Sequence, residues 1–141
     1  MTLTDEKIKL IEFPRIRRIG LSTLQVNLGY KCNQTCVHCH VNAGPNRKEM
    51  MTEENIALVP EVLKKYKIKT LDLTGGAPEL HPQFKELVIK AKSIGSQVID
   101  RCNLTILSEI NQEDLAIFLA ENKVIVTASL PCYEQENVDK Q

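Results

Sequence analysis

The sequence predicts an α/β fold in which parallel strands alternate with helices to form a partial (βα) barrel of about four strand–helix units. Four short aliphatic stretches read as strands, and they start near residues 23, 70, 97 and 124. The last three starts are each 27 residues apart, which is typical of a repeated βα unit. Polar and apolar residues also alternate along these stretches, as they do in strands with two different faces.

The first unit is longer than the others because a loop is inserted in it. TLQVNL (23–28) has the strand period, and a loop follows from Gly29 to about Met50. Thr52 is expected to cap a helix whose apolar residues recur at helical spacing: Ile56, Val59, Leu63 and Tyr66. Pro60 lacks an N–H, so we expect a kink there or a helix that restarts with Pro60 in its first turn.

The later units are shorter. TLDLT (70–74), QVIDRC (97–102) and VIVTAS (124–129) are predicted strands. Pro82 is expected at the first position of the second helix, and Gly95 at its end. We expect Asn111 to cap the third helix and Asn122 to end it in the left-handed conformation.

One face of the predicted sheet is polar enough to hold a polar ligand. The residues expected on it are Asn27, Asp72, Thr74, Thr127 and Ser129. An open, doubly wound sheet with ordinary polar strand ends remains an alternative, since periodicity alone does not separate it from an open barrel.

Composition excludes several classes of protein. The 141 residues are 43% hydrophobic and 26% charged, as in globular domains, and the net charge of zero disfavours a dedicated nucleic-acid binder. No apolar stretch is long enough to cross a membrane, and the charged start MTLTDEKIKLIEF is unlike a signal peptide. We therefore expect a cytoplasmic protein with reduced thiols and with neither nucleic-acid nor membrane partners.

We expect residues 1–22 to be a lead-in segment and residues 23–141 to be a truncated core domain. Four parallel strands do not close a barrel and leave an outer strand exposed, and the sequence ends in the polar YEQENVDKQ. The expectation is an N-terminal part of a longer protein, inactive when expressed alone.

Three of the five cysteines, Cys32, Cys36 and Cys39, lie within eight residues of a polar loop, which indicates metal binding. Structural zinc usually takes four ligands in two pairs, and His40 or Cys102 would have to be the fourth here. An iron–sulfur cluster held by three cysteines instead keeps one iron open for chemistry. The spacing favours iron–sulfur, and a non-enzymatic zinc module remains the alternative.

A second motif, TGGAPE (74–79), follows the second predicted strand. In α/β folds ligands bind at the carboxyl ends of parallel strands, and paired glycines let the backbone approach a ligand closely. The motif therefore predicts a ligand site beside the cysteine loop.

Together these segments resemble the radical S-adenosylmethionine (SAM) enzymes. CNQTCVHC resembles the family's C-x3-C-x-aromatic-C motif, with His38 at the aromatic position. TGGAPE resembles its glycine motif, with Ala77 where Glu is common. RCNL (101–104) resembles the polar element after the third strand, and ASL (128–130) the ribose-contacting element after the fourth.

The resemblance implies a [4Fe–4S] cluster held by Cys32, Cys36 and Cys39 and a bound SAM. It further implies reductive cleavage of SAM to methionine and a 5′-deoxyadenosyl radical, with electrons from a low-potential donor of the flavodoxin or ferredoxin type. The cofactor-binding residues it implies are Gly75 and Gly76 for the methionine moiety, Asn103 or Arg101 for its carboxylate, Ser129 for the ribose, and His38.

Longer segments are similar to the arsenosugar-biosynthesis radical SAM group, whose members carry a Cys-rich C-terminal region. They are residues 29–51, 101–107 and 129–141. This similarity implies transfer of the deoxyadenosyl group to a small molecule, a methylated arsenic(III) species. Because soft thiolates suit trivalent arsenic, we hypothesise that Cys102, Cys132 or both contact substrate. The alternative for each is a small buried thiol.

Overall fold

The computed structural model describes residues 15–129. Four parallel strands form one sheet in the order β1-β2-β3-β4. They are β1 (Thr23–Asn27), β2 (Thr70–Thr74), β3 (Gln97–Cys102) and β4 (Ile125–Ala128). The bounds of β2 and β3 are those predicted, β1 ends one residue earlier, and β4 is one residue shorter at each end. The α/β fold of parallel strands alternating with helices is confirmed.

Three α-helices connect these strands and pack in one layer. They are α1 (Glu53–Tyr66), α2 (Phe84–Ser93) and α3 (Leu115–Glu121). Helix α1 packs on α2. The rings of Phe84 and Phe118 bring α2 and α3 together, with 6.5 Å between centroids. A sheet whose strands follow chain order, with adjacent helices in one layer, is singly wound. Among the described strands this excludes the doubly wound alternative.

Helix α1 begins where the sequence predicts. The Thr52 hydroxyl accepts the Asn55 N–H at 3.4 Å, and Glu53 and Glu54 occupy the first turn, where the helix dipole favours negative charge. The helix does not restart at Pro60 but continues through it to Tyr66. Its buried residues are Ile56, Val59 and Leu63, and their packing offsets the backbone hydrogen bond that proline cannot make.

The starts of the other two helices were predicted too early. Helix α2 begins at Phe84 rather than Pro82, although Gly95 follows its end with a positive φ of 91°, as expected. Helix α3 begins at Leu115, and Asn111 does not cap it, because Asn111 lies in the left-handed region (φ 70°) four residues earlier.

The end of α3 also differs from the prediction. Asn122 has φ −84°, and Lys123 takes the left-handed conformation with φ 50°. Asn122 instead donates its side-chain Nδ2 to the Phe118 carbonyl at 2.8 Å. The Val124 N–H donates to the Leu119 carbonyl at 2.9 Å, so a backbone cap is also present, one residue later than predicted.

The core lies between the sheet and the helix layer. Strand and helix residues contribute to it, including Val26, Leu71, Leu73 and Val98 from the sheet and Leu63, Leu87, Val88 and Leu115 from the helices. Register places Asn27 beside Thr74 and Gln25 beside Asp72, on the opposite, polar face. None of the helices among residues 15–129 is long and apolar enough to cross a bilayer.

Candidate functional site

The cysteine loop, defined here as residues 28–52, folds back on the end of β1. The Met51 N–H donates to the Leu28 carbonyl at 3.0 Å, and the Tyr30 N–H to the Glu49 carbonyl at 2.9 Å. The Cys32 N–H donates to the Gly44 carbonyl at 3.2 Å. These bonds fix Cys32 at the carboxyl end of the sheet, where parallel-strand folds bind ligands.

The three loop cysteines lie close together. A turn closes with the Cys39 N–H donating to the Cys36 carbonyl at 3.1 Å. Cys32 is buried, and Cys36 and Cys39 are half-buried. Burial, and then the charges of Cys32 and Cys39, raise the pKa of Cys36. Three thiolates so placed repel one another, and a cationic metal group would relieve that repulsion.

Backbone donors point at two of these sulfurs. The Gln34 N–H donates to Cys32 Sγ at 3.5 Å, and the Ala43 N–H to Cys39 Sγ at 3.3 Å. Donors of this kind stabilise thiolate ligands. The loop therefore presents its sulfurs as a metal or cluster site requires.

The donor set of the loop tests which metal group fits. Structural zinc takes four ligands, and within residues 15–129 the loop cysteines do not belong to any group of three or more His, Cys, Asp or Glu ligand atoms that all lie within 4.8 Å of one another. Three cysteines are the donor set of a cluster with one open iron, so the cysteine loop fits a cluster better than structural zinc. His40, a proposed fourth zinc ligand, is exposed.

The turn at Gly75 and Gly76 packs directly on the cysteine loop. The Gly76 N–H donates to the Gly29 carbonyl and the Ala77 N–H to the Lys31 carbonyl, both at 2.9 Å. Gly75 has φ 145°, and a Cβ there would lie 2.5 Å from the Gly29 oxygen. A Cβ on Gly76 would overlap the Lys31 carbonyl. Both glycines are therefore needed for this close contact.

The polar element after β3 also contacts the loop. Asn103 Nδ2 donates to Asn33 Oδ1 at 2.8 Å and lies 3.5 Å from Cys32 Sγ. At the end of β4, the Ser129 N–H donates to the Cys102 carbonyl at 2.8 Å. The exposed Ser129 therefore lies at the same sheet edge as the cysteine loop. His38 is exposed within that loop.

Arg101 lies on the polar face of the sheet, paired with Asp72. Its Nε and Nη2 donate to the two carboxylate oxygens, each at 2.8 Å, and Gln25 Nε2 donates to Asp72 Oδ2 at 3.0 Å. The hydrogen bond from Arg101 lowers the pKa of Asp72, and burial partly opposes it. Arg101 and Asp72 are therefore both charged at neutral pH.

Cys102 does not lie on that face. It is fully buried with Asp100 and Glu79, and their ligand atoms lie within 4.8 Å of one another. Burial, then hydrogen bonding and charge from Glu79, raise the pKa of Cys102 to about 12. The side chain is thus a neutral thiol in the core, as in the buried-thiol alternative, and this placement does not support a substrate contact. Cys132 lies outside the described residues.

His81 supports the cysteine loop from outside it. Its Nδ1 accepts the Gln83 N–H at 3.1 Å just before α2, as a capping residue does. Its Nε2 lies 2.9 Å from the Met51 carbonyl, to which it donates in the tautomer that the Gln83 contact requires. His81 thereby connects the start of α2 to the end of the cysteine loop.

Sequence reasoning missed several contacts at this site. Asn33 was treated only as a spacer in the cysteine motif, and Gln25 only as a polar strand residue. Their partners, Asn103 and Asp72, are 70 and 47 residues away. No local pattern signals such pairings. Glu79, by contrast, lies in the glycine motif after the second strand, and Asp100 lies near the end of the third. Their proximity could have been predicted from these positions.

Residues 26–140 match the Radical SAM superfamily. The chain belongs to this superfamily. Radical SAM proteins use a [4Fe–4S] cluster and SAM, and the cysteine loop has the donor set that such a cluster needs. The resemblance found in the sequence is confirmed at the level of the superfamily.

Curated relatives of this radical SAM chain include three named probable GTP 3′,8-cyclase. The protein from Sulfolobus acidocaldarius is 32% identical over 75 residues, covering 53% of this chain and 24% of the relative. Those from Sulfurisphaera tokodaii and Saccharolobus solfataricus are each 34% identical over 82 residues. These matches cover 57% of this chain and 26% and 27% of the relatives. The matches thus span about a quarter of these relatives, and they do not confirm the narrower resemblance to the arsenosugar group.

Proposed function

We propose that the protein is an enzyme that cleaves SAM reductively at a [4Fe–4S] cluster held by Cys32, Cys36 and Cys39. The observation that carries this proposal is the direct packing of the cysteine loop on the Gly75–Gly76 turn, at the carboxyl end of the sheet. Membership of the radical SAM superfamily supports the same chemistry. A zinc module gives no reason for a glycine turn packed on its ligand loop.

When bound, the cluster supplies one electron to the sulfonium of SAM, which gives methionine and a 5′-deoxyadenosyl radical. The residues of this chain position the two groups. Gly75 and Gly76 meet the methionine moiety through backbone atoms other than the Gly76 N–H, which donates to Gly29. Ser129 contacts the ribose, and His38 contacts SAM from within the cysteine loop.

Arg101 is the better candidate for the methionine carboxylate. Its Nε and Nη2 bind Asp72, and no acceptor for Nη1 lies among residues 15–129. Asp72 holds the guanidinium in place, and a planar guanidinium binds carboxylates well. The amide of Asn103 is already engaged by Asn33 and Ile106, so we assign the carboxylate to Arg101.

Anaerobic reconstitution of the protein at its full natural length with iron and sulfide tests the proposal. We expect about four irons per protein, and methionine and 5′-deoxyadenosine after reduction with dithionite in the presence of SAM. Alanine at Cys32, Cys36 or Cys39 should abolish both cluster assembly and cleavage. Val37→Ala is the matched control, because Val37 lies in the same loop and is 89% exposed. One zinc per chain and no SAM cleavage would refute the proposal.

For the substrate, we propose a methylated arsenic(III) species that receives the 5′-deoxyadenosyl group. The support is the similarity of residues 29–51, 101–107 and 129–141 to the arsenosugar-biosynthesis group, which extends well beyond the three cysteines. Addition of the carbon radical to the lone pair of trivalent arsenic would form a C–As bond and leave an arsenic-centred radical. Loss of one electron from that radical to a one-electron acceptor, such as the oxidised cluster, would give a pentavalent arsenic product. The product would keep the adenosine moiety on arsenic, so little free 5′-deoxyadenosine should form when the arsenical is present.

Cyclisation of GTP is a second candidate, favoured by the 32–34% identity to probable GTP 3′,8-cyclases. Mass spectrometry of parallel reactions separates the two. The first predicts a deoxyadenosyl–arsenic product from dimethylated arsenic(III) and no consumption of GTP. Consumption of GTP, with 5′-deoxyadenosine released in both reactions and no arsenic adduct, would favour the second.

A further inference from the structure

We propose that Asn103 is a positioning residue whose amide holds the cysteine loop against the end of β3 and donates a hydrogen bond to the Cys32 thiolate, and that this hydrogen bond raises the reduction potential of the cluster. The inference rests on the proposed function, because it takes Cys32 to be a cluster ligand. It goes beyond that function by assigning Asn103 to the cluster rather than to SAM.

A hydrogen bond from a backbone N–H fixes which end of the Asn103 amide is oxygen and which is nitrogen. The backbone N–H of Ile106 points at Asn103 Oδ1 from 3.1 Å. A backbone N–H only donates, so the atom it meets must be the oxygen. The Thr105 hydroxyl lies 3.1 Å from the same oxygen. The Asn103 Nδ2 group must therefore point the other way, toward the cysteine loop.

Both hydrogens of that Nδ2 group have an acceptor in the loop. One acceptor is Asn33 Oδ1 at 2.8 Å, and the other is Cys32 Sγ at 3.5 Å, a normal distance for an N–H···S hydrogen bond. Asn33 in turn donates to Thr105 Oγ1 at 2.8 Å and to Glu109 Oε1 at 3.1 Å. The network ties the loop to the segment after β3 at two points.

The hydrogen bond to sulfur has a redox consequence. Reduction adds negative charge to the cluster and its thiolates, so an N–H donor at Cys32 Sγ stabilises the reduced form more than the oxidised form. Cys32 is 7% exposed, so solvent screens this interaction little. Removal of the donor should lower the reduction potential. The Gln34 N–H remains as a second donor to the same sulfur.

The test is a redox titration of the reconstituted protein followed by electron paramagnetic resonance. At a fixed potential, we expect Asn103→Ala to lower the ratio of reduced to oxidised cluster about tenfold. For a one-electron couple this is a decrease of about 59 mV. The dissociation constant for SAM should change less than about twofold, because the Asn103 amide does not bind SAM in this account.

Asn33→Ala is the matched control, because it removes the loop contact and leaves the N–H···S bond in place. Its potential should stay near that of the wild type. Asn103→Asp keeps the acceptor for the Ile106 N–H and removes the donor, so it covers the case in which Asn103→Ala does not fold. It should lower the potential at least as much, since it also adds negative charge.

Three results would overturn the inference. An unchanged potential in Asn103→Asp, or lost SAM affinity with an unchanged potential in Asn103→Ala, would show that the amide does not act on Cys32. Equal shifts in the Asn33 and Asn103 variants would show that loop displacement, and not the hydrogen bond, sets the potential. Failure of the proposed function is distinguishable, because the wild-type protein would then assemble no cluster to titrate.

Discussion

Arg101 on β3 binds Asp72 on β2 through two hydrogen bonds of 2.8 Å, on the sheet face opposite the helices. Gln25 on β1 donates to the same carboxylate, so one acidic side chain connects three neighbouring strands. Asp72 is buried although it lies on the polar face, because these partners cover it. This trio lies on the face where we place SAM.

A double-mutant cycle on Asp72→Asn and Arg101→Gln should give a measurable favourable coupling free energy in unfolding measurements, because the carboxylate is buried and bound at both oxygens. The matched control is Lys85 with Asp114, a 2.6 Å pair whose side chains are 40% and 69% exposed. That exposed pair should couple more weakly than Asp72 with Arg101, because solvent screens it. Equal coupling in the two pairs would show that Asp72 is not the connecting group described here.

Asp100 should make the protein progressively less stable as pH rises from about 4 to about 8. Burial, and then the nearby Glu79, raise the pKa of Asp100 to about 8 from an ordinary 3.8. The folded state therefore binds the proton more tightly than the unfolded state does. The stability from this proton is fully present below about pH 4, declines as pH rises, and is lost as pH passes through about 8.

Thermal unfolding between pH 5 and 9 checks this dependence. Stability should decrease with pH by up to about 1.4 kcal/mol per unit in the wild type. Asp100→Asn, which stays neutral, should show a flatter profile. Asp72 has the opposite effect on the pH dependence of stability. Because its pKa is lowered in the folded state, its contribution to stability is lost as pH falls. A wild-type profile as flat as that of Asp100→Asn would contradict a buried, protonated Asp100.

Gly75→Ala should destabilise the protein and reduce cluster incorporation, because a Cβ there would lie 2.5 Å from the Gly29 carbonyl oxygen. Gly95→Ala is the matched control. Gly95 also has a positive φ, of 91°, but nothing lies within 4 Å of a Cβ at that position. Both variants should cost about 1–3 kcal/mol for backbone strain.

The steric overlap at Gly75 should lower the free energy of unfolding by about 1–3 kcal/mol more than backbone strain alone does. Only Gly75→Ala should also lower the iron content after reconstitution, because only that turn packs on the cysteine loop. Equal iron content and equal stability in the two variants would show that this packing is not needed.

Much of the fold followed from local sequence patterns. The strands at 70–74 and 97–102 were predicted to the residue, because each is a short aliphatic run ended by Gly or Asn. The cysteine site was predicted from spacing alone, and its ligand assignment stays a prediction. Helix starts were less predictable. Pro82 and Asn111 are good local start signals, but α2 and α3 begin later, at Phe84 and Leu115, both of which are buried.

The polar contacts of the site were not predictable from local patterns. Asn33 and Asn103 are 70 residues apart and meet only because the cysteine loop folds back over the end of β3. Cys102 was correctly predicted at the end of a strand. Because side chains alternate between the two faces of a strand, Cys102 lies on the helix side of the sheet and Arg101 on the opposite side. Which face a strand-end residue occupies depends on register, and register was known only from the structure.

The proposed function requires that three cysteines hold a cluster whose remaining iron binds SAM. The most direct test is electron–nuclear double resonance on the reduced, reconstituted protein with SAM labelled by ¹⁷O in the carboxylate and ¹⁵N in the amino group. We predict hyperfine coupling of both labels to one iron of a [4Fe–4S] cluster. A cluster without coupling to either label, or protein that takes up one zinc and no cluster, would contradict it.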